Sequence, residues 1–294
     1  MSIKASYIKP RTVDEAVALL GALPGAGSPD YREARILSGG TDFYPSLGDR
    51  VVRGTVIDIS ALRDLRGISR NATHFRIGGL TTWSEVIRTP LPRCFDTLEL
   101  AAREVGSVQI QNRGTVAGNL CNASPAADGV PPLLALDAEV ELTSQAGVRT
   151  LALADFITGN RRTQRKGDEL LTAVLVPRGA DDAASTFLKL GARRYLVISI
   201  SMVAVVLKFR GESKSVVEEA RIAVGSCSAV AQRLPRLESD LVGTTAGEGM
   251  RTFVKPEHLA SLSPIDDVRA TAEYRVEASL RLVQRALNSC VENH

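Results

Sequence analysis

The sequence predicts an α+β protein with more than one core, on three observations. Its 294 residues exceed the ~250 at which a single hydrophobic core usually stops growing. In the first half, short apolar runs that read as strands alternate with capped helical patterns, whereas beyond about residue 185 three strand-like runs come first and a long helical stripe last. With 44% hydrophobic and 23% charged residues, the composition is that of an ordinary folded chain.

The elements follow in order. Thr12 and Glu15 have capping-box spacing ahead of Ala16, Leu19, Leu20 and Leu23, which predicts a helix that "PGAGSP" stops. "ARILSGGTDF" reads as a buried strand, Ile36 and Leu37, running into a Gly39-Gly40 turn, and "TVIDIS" as a second buried strand, so that the first ~60 residues form a small α/β unit. "FRIGG" is a strand ending on two glycines. Thr82 with Glu85, and Asp96 with Glu99, predict two more helix caps, the latter ahead of Leu98, Ala101, Ala102 and Val105.

"AEVELTSQAGVRTLAL" alternates around a glycine turn as a hairpin does, and "ELLTAVLVP" is a strand closed by proline. "GADDAAS", 179–185, reads as a linker. Three strands, "TFLKL", "ISISMVAVVLKF" and "SVVEEARIAVG", then precede a helix with Val276, Leu280, Val283, Leu287 and Val291 on one face. The expected division is 1–178, split at about 60 into two subdomains (1–60 and 61–178), and 185–292 as a C-terminal domain with a three-stranded antiparallel sheet and helices.

Composition removes several function classes. The 36 basic and 33 acidic residues are scattered, net charge +3, which argues against nucleic acid as a partner. Val197 to Leu207, the longest mostly apolar stretch, falls short of the ~20 residues of a membrane span. The start, "MSIKASYIKPRT", has no secretory apolar segment, so a cytoplasmic protein is expected. Four cysteines, at 94, 121, 227 and 290, and three histidines, at 74, 258 and 294, give no metal or iron–sulfur spacing. His74 and His258 are expected at the surface. Redox chemistry here would require an organic cofactor.

"GAGSPD" at 25–30 carries two glycines of a dinucleotide fingerprint, yet Pro29 and Asp30 break it, and no phosphate-binding Gly-x-x-x-x-Gly-Lys or Gly-x-Ser-x-Gly elbow exists. "SGGTD", Ser38, Gly39, Gly40, Thr41 and Asp42, has the composition of a backbone cradle, since glycines allow close approach and leave amides pointing one way. Alone the signal is weak, and a plain strand-to-helix turn is the simpler reading. A second set, Thr115, Gly118 and Asn119 in "IQNRGTVAGNLCNASPAAD", with Asp128 able to accept from sugar hydroxyls, favours one long anionic ligand held along its length. Each amide bonded to a charged oxygen contributes about 1.5 to 3 kcal/mol.

"ILSGGTDF", "IGGLTTW", "VQIQNRGTVAGNLCNASPAADGVPPLLALDAEVEL", "FLKLGARR", "IAVGSCSAVAQRLPRLE" and "PIDDVRATAEYR" occur in this order. Together they resemble the FAD-binding medium subunit of molybdenum hydroxylases, the family of xanthine dehydrogenase and carbon monoxide dehydrogenase, over nearly the whole chain. The resemblance implies a vanillyl-alcohol-oxidase-like FAD domain of two subdomains and a C-terminal domain. It places Leu37 to Asp42 and Thr115, Gly118, Asn119 and Asp128 along a non-covalent FAD, Leu171 as an apolar contact to the flavin and Lys189 as a basic one. A cation at the pyrimidine end would stabilise the anionic reduced ring.

It further implies partner subunits, a large one with the molybdenum cofactor and a small one with two [2Fe-2S] clusters, and onward transfer to NAD or another acceptor. Arg193 and Arg194 could steer a nicotinamide dinucleotide's phosphates or form surface pairs. The chain departs from the pattern in the neutral "YLVIS" after "GARR", where an acidic residue is common, and in Gln111 where arginine is common. Two rival classes remain open at this stage: a stand-alone flavin-dependent oxidoreductase, and a nucleotide-binding regulatory module without redox activity.

Overall fold

A computed structural model describes residues 6–23, 34–52, 54–211 and 215–292; the "PGAGSP" stop signal lies outside them. Strand β1 (Ser6–Ile8), helix α1 (Val13–Gly21), strand β2 (Ala34–Leu37), the short helix α2 (Phe43–Leu47) and strand β3 (Thr55–Asp58) make the first unit. Its sheet is parallel in the order β1-β3-β2, with Tyr7 and Arg35 both opposite Val56. The Thr12 hydroxyl accepts from the Glu15 amide, while the Glu15 carboxylate accepts from the Arg11 amide, one residue before the expected partner. Ala16, Val17 and Leu20 close over Ile57, Ile59 and Leu62.

Two short strands, β4 (Ile68–Arg70) and β5 (His74–Gly78), open a five-stranded antiparallel sheet ordered β4-β5-β10-β6-β7. Between them and the rest lie α3 (Trp83–Arg88), α4 (Asp96–Glu104), α5 (Val108–Gln111), α6 (Val116–Asn122) and α7 (Val130–Ala135). The hairpin β6 (Glu139–Ser144) and β7 (Gly147–Ala152) sits where the alternation placed it. Helix α8 (Leu153–Phe156) leads to a small hairpin, β8 (Ile157–Gly159) with β9 (Arg162–Thr163), and then β10 (Leu170–Pro177), central in the sheet.

The last unit is β11 (Ala184–Leu190), β12 (Ser201–Arg210), β13 (Val216–Gly225), a two-residue edge strand β14 (Gln232–Arg233), α9 (Pro235–Leu241) and α10 (Ala272–Glu292). The three expected strands pair antiparallel, with β14 as a fourth beside β13. Strand β12 reads as one apolar run because both of its faces are covered. Met202, Ala204 and Val206 join the core formed by α4, α6 and α7, while Val203, Val205 and Leu207 pack with Val283 and Leu287 of α10.

Three expectations are corrected. Asp96 is not a cap but the first residue of α4, after a 3₁₀ turn at Arg93–Phe95; the orphan amide of Thr97 is met by the Ser185 hydroxyl at 3.0 Å. "GADDAAS" is a linker only in part, since Ala184 and Ser185 already belong to β11. His258 is buried: its ring accepts from the Lys255 amide and meets Asp240 at 3.0 Å.

The buried face of α10 also includes Arg275, Ser279, Leu282, Ala286 and Cys290, with Val276 and Leu280 at its margin. Arg275 donates to the Ile200 carbonyl at 2.7 Å, the Ser226 carbonyl at 3.2 Å and Asp267 at 2.7 Å, tying the helix to the ends of β12 and β13. Replacing it by methionine keeps the volume but strips buried acceptors of their donor, which costs about 1 to 3 kcal/mol per group. Arg275→Met is therefore expected to lower stability by roughly 3 kcal/mol, read as a fall in denaturant midpoint with unchanged slope.

Candidate functional site

Strand β2 ends at Leu37, and the chain turns through Gly40, whose φ of +79° is the left-handed conformation that glycine adopts freely. Thr115 precedes α6, and its hydroxyl accepts from the Gly118 amide at 3.0 Å. These two turns, far apart in sequence, touch. A Cβ built on Gly39 would lie 1.8 Å from the Arg113 carbonyl oxygen, so only a glycine permits this approach. The Ser38 and Thr115 hydroxyls are 3.1 Å apart, and Asn122 at the end of α6 donates to Asp42 at 2.8 Å.

The second turn is held from below. The Trp83 amide donates to the Gly114 carbonyl and the Val116 amide to the Thr81 carbonyl, and α3 starts on a full capping box in which Thr82 and Glu85 satisfy each other's amides. Gly79 lets β5 run on into the Thr172 carbonyl of β10 at 2.8 Å, and a Cβ there would strike the Leu171 carbonyl at 2.5 Å.

Around this junction lies a cavity of about 1090 Å³. Its wall holds Ser38, Gly39, Gly40, Thr41, Asp42, Thr115, Gly118, Asn119 and Leu171 of the expected residues. Leu37 faces a smaller adjoining cavity of about 440 Å³ that shares Ser38 to Gly40 and Thr115. Asp128 and Lys189 line neither. They pair with each other at 2.8 Å, with Ser199 donating to Asp128 at 2.8 Å and Lys189 reaching the Glu104 carbonyl at 3.3 Å. Burial pushes the Asp128 carboxyl up, opposed by Lys189 and Ser199.

Other wall residues carried no signal in the sequence. Val105, Ile110 and Trp83 contribute apolar surface, and Arg35, Arg50, Arg161, Arg162 and Arg165 contribute cations. The β8–β9 hairpin and the loop that follows it bring the last three, and Glu169 fastens that loop from behind, accepting from Arg149 at 2.6 Å and from the Lys166 amide at 2.7 Å. Burial works to raise the Glu169 carboxyl, but the Arg149 guanidinium and the Lys166 amide outweigh it and hold it below the usual carboxylate range. Cys121 lines the cavity as a thiol, since burial pushes its ionisation up. Arg193 is spent on the Leu196 carbonyl, Arg194 lies over the Tyr195 ring, and Gln111 donates to the Arg103 carbonyl.

The donor set suits an elongated ligand with anionic and hydroxyl groups. Among the described residues, the backbone amides from Ser38 to Asp42 donate to no protein acceptor, and the buried Asn119 Oδ1 has no donor. Main-chain donors of this kind are worth most against a charged oxygen. No group of His, Cys, Asp and Glu among the described residues could hold a metal ion.

Comparison with known proteins gives this donor set its class. Residues 2–179 match the FAD binding domain in molybdopterin dehydrogenase, and residues 186–290 the CO dehydrogenase flavoprotein C-terminal domain. The chain belongs to this family of flavin-binding oxidoreductase subunits, the one its six motif blocks resemble, and FAD is the family's cofactor.

Among its relatives, the nicotinate dehydrogenase FAD-subunit of Eubacterium barkeri is 37% identical over 201 residues, spanning 66% of this chain and 65% of that one. The carbon monoxide dehydrogenase medium chain of Hydrogenophaga pseudoflava is 29% identical over 96% of both. Of solved structures, reconstituted CO dehydrogenase from Oligotropha carboxidovorans has a TM-score of 0.87 at 26% identity over the full length of both chains. Quinoline 2-oxidoreductase from Pseudomonas putida 86 has the same score and identity, covering 99% of this chain and 98% of that one.

The geometry generates two expectations. Gly39→Ala forces the turns apart, so FAD affinity should fall at least tenfold by fluorescence titration, whereas Gly247→Ala, whose Cβ meets nothing, should leave it unchanged. Because the folded ionisation of Glu169 is depressed, its tie is complete above about pH 4.3 and is lost as pH falls through the lowered value. Hydrogen exchange of 158–169 should accelerate over that acid range, and Glu169→Gln should abolish the step.

Proposed function

We propose that this chain is the FAD-binding electron-transfer subunit of a multi-subunit molybdenum hydroxylase, with the dinucleotide lying along the paired glycine turns. The observation that carries the reading is the contact of Gly39 with the Arg113 carbonyl, which brings the free amides of Ser38 to Asp42 and the Thr115–Asn119 turn onto one cavity. Ser38 to Asp42 would hold the diphosphate; Thr115, Gly118 and Asn119 would take diphosphate and sugar oxygens. Leu171, Val105 and Ile110 supply the apolar wall that a ring system needs. The bound flavin supplies the ability to exchange electrons singly or in pairs.

The chain's own residues position and shield. Asp128 and Lys189 form a compensated buried pair, so Lys189 would act on the ring through a fixed field shared with a carboxylate. Trp83, buried against the second turn, excludes water from its floor. The partners in this reading are a large molybdenum cofactor subunit and a small subunit with [2Fe-2S] clusters, with NAD or another acceptor receiving the electrons; the complex would work in the cytoplasm. Residues 1–178 would form the FAD domain, with subdomains meeting near residue 60, and 185–292 the C-terminal domain.

Native purification tests this directly. A tagged chain should bring down molybdenum- and iron-containing subunits and show a flavin spectrum with one non-covalent FAD, released by acid precipitation. A chain that purifies alone and turns over a substrate unaided, or that carries no flavin, overturns the reading.

A further inference from the structure

Among the described residues, the cavity wall carries five arginines against one carboxylate, Asp42, and the partners of the better-placed arginines are neutral. Arg50 donates to the Leu47 and Ser46 carbonyls at 3.2 and 2.6 Å, and Arg165 to the Lys166 and Glu169 carbonyls at 2.8 and 2.7 Å. Arg161 donates to the Asn122 side chain. Carbonyl and amide oxygens orient a guanidinium without cancelling its charge, so the wall remains positive.

Arg161 is held in an unusual way. It sits at the turn between β8 and β9 with φ of +59°, a left-handed conformation that glycine or asparagine would adopt at less cost. Its amide donates to the Ala123 carbonyl at 2.9 Å. Its guanidinium meets Asn122, which in turn donates to Asp42 on the first glycine turn. The hairpin thus joins both turns from a third segment of chain, and it presents Arg162, and the loop after it Arg165, to the same cavity.

We propose that Arg161, Arg162 and Arg165 form a side-chain clamp for the anionic diphosphate of the bound dinucleotide, complementing the main-chain cradle; this rests on the FAD reading above. The clamp supplies charge where the glycine turns supply only dipoles, and it makes loading of the cofactor dependent on ionic strength.

The test is titration of the flavin-free full chain with FAD at several salt concentrations, alongside thermal unfolding of each flavin-free protein. Arg161→Gly relieves the turn, so its unfolding temperature should hold or rise while FAD affinity falls roughly tenfold and its salt dependence flattens. Arg162→Gln with Arg165→Gln should weaken binding and flatten the dependence further, and lysine at all three positions should restore the salt dependence. Arg281→Gln, on the exposed face of α10, changes net charge as much as Arg161→Gly and should alter neither. Wild-type protein that binds no FAD would overturn the cofactor reading and the clamp with it. Wild-type binding with the Arg161→Gly and double variants unchanged would overturn the clamp alone, as would weaker binding at an unaltered salt slope, which would reduce Arg161 to a prop for Asn122.

Discussion

The structure depends on one approach of main chain to main chain, Gly39 against the Arg113 carbonyl. No side chain larger than hydrogen fits there, so the first unit and the antiparallel sheet are brought within reach of a common ligand by the absence of a Cβ. The rest of the local architecture serves that approach. The capping box of α3 fixes Thr82, the Trp83 amide fixes Gly114, and the Gly79 amide joins β10. The second turn, so braced, has little freedom, and the first turn that rests on it through Gly39 has its free amides ordered before any ligand arrives, which lowers the entropic cost of binding.

The division of labour between main chain and side chain follows from electrostatics. Amide dipoles can be aimed but carry no net charge; guanidinium groups carry charge but sit on flexible stems. In the proposed site the first would stand at the centre and the second around it. Deeper in, Asp128 and Lys189 compensate each other, and burial pushes the Cys121 thiol on the cavity wall upward, leaving it protonated. In the proposed reading such a site would hold a reagent, and the reactivity would belong to the reagent.

Much of this was legible in the sequence because local rules carried it. Thr82 and Glu85 sit at capping-box spacing, β6 and β7 alternate around a glycine turn, and the glycine pairs mark the turns themselves. What escaped depends on partners distant in sequence. Asp96 had the spacing of a cap, yet Ser185 meets the orphan amide. Arg275 and His258 look like surface residues until Ile200, Asp267 and Asp240 are folded around them. Arg161, Arg162 and Arg165 resemble a solvated basic run because a pattern of residue types does not disclose which cavity a short hairpin will face. The same limit applies to Lys189, whose charge was visible but whose pairing with Asp128 was not.

The central place of β10 has a consequence for synthesis. Gly78 pairs with Ala173, and Val140 with Val174, so the strand that joins β5 to the β6–β7 hairpin leaves the ribosome after both. Until then each half of the sheet has an open edge, a state in which unpaired strands are exposed to wrong partners. Both glycine turns are translated before β10, when the Thr172 carbonyl that anchors Gly79 is not yet present. A nascent chain that stops short of β10 therefore lacks both this anchor and the part of the cavity wall that Leu170 and Leu171 supply.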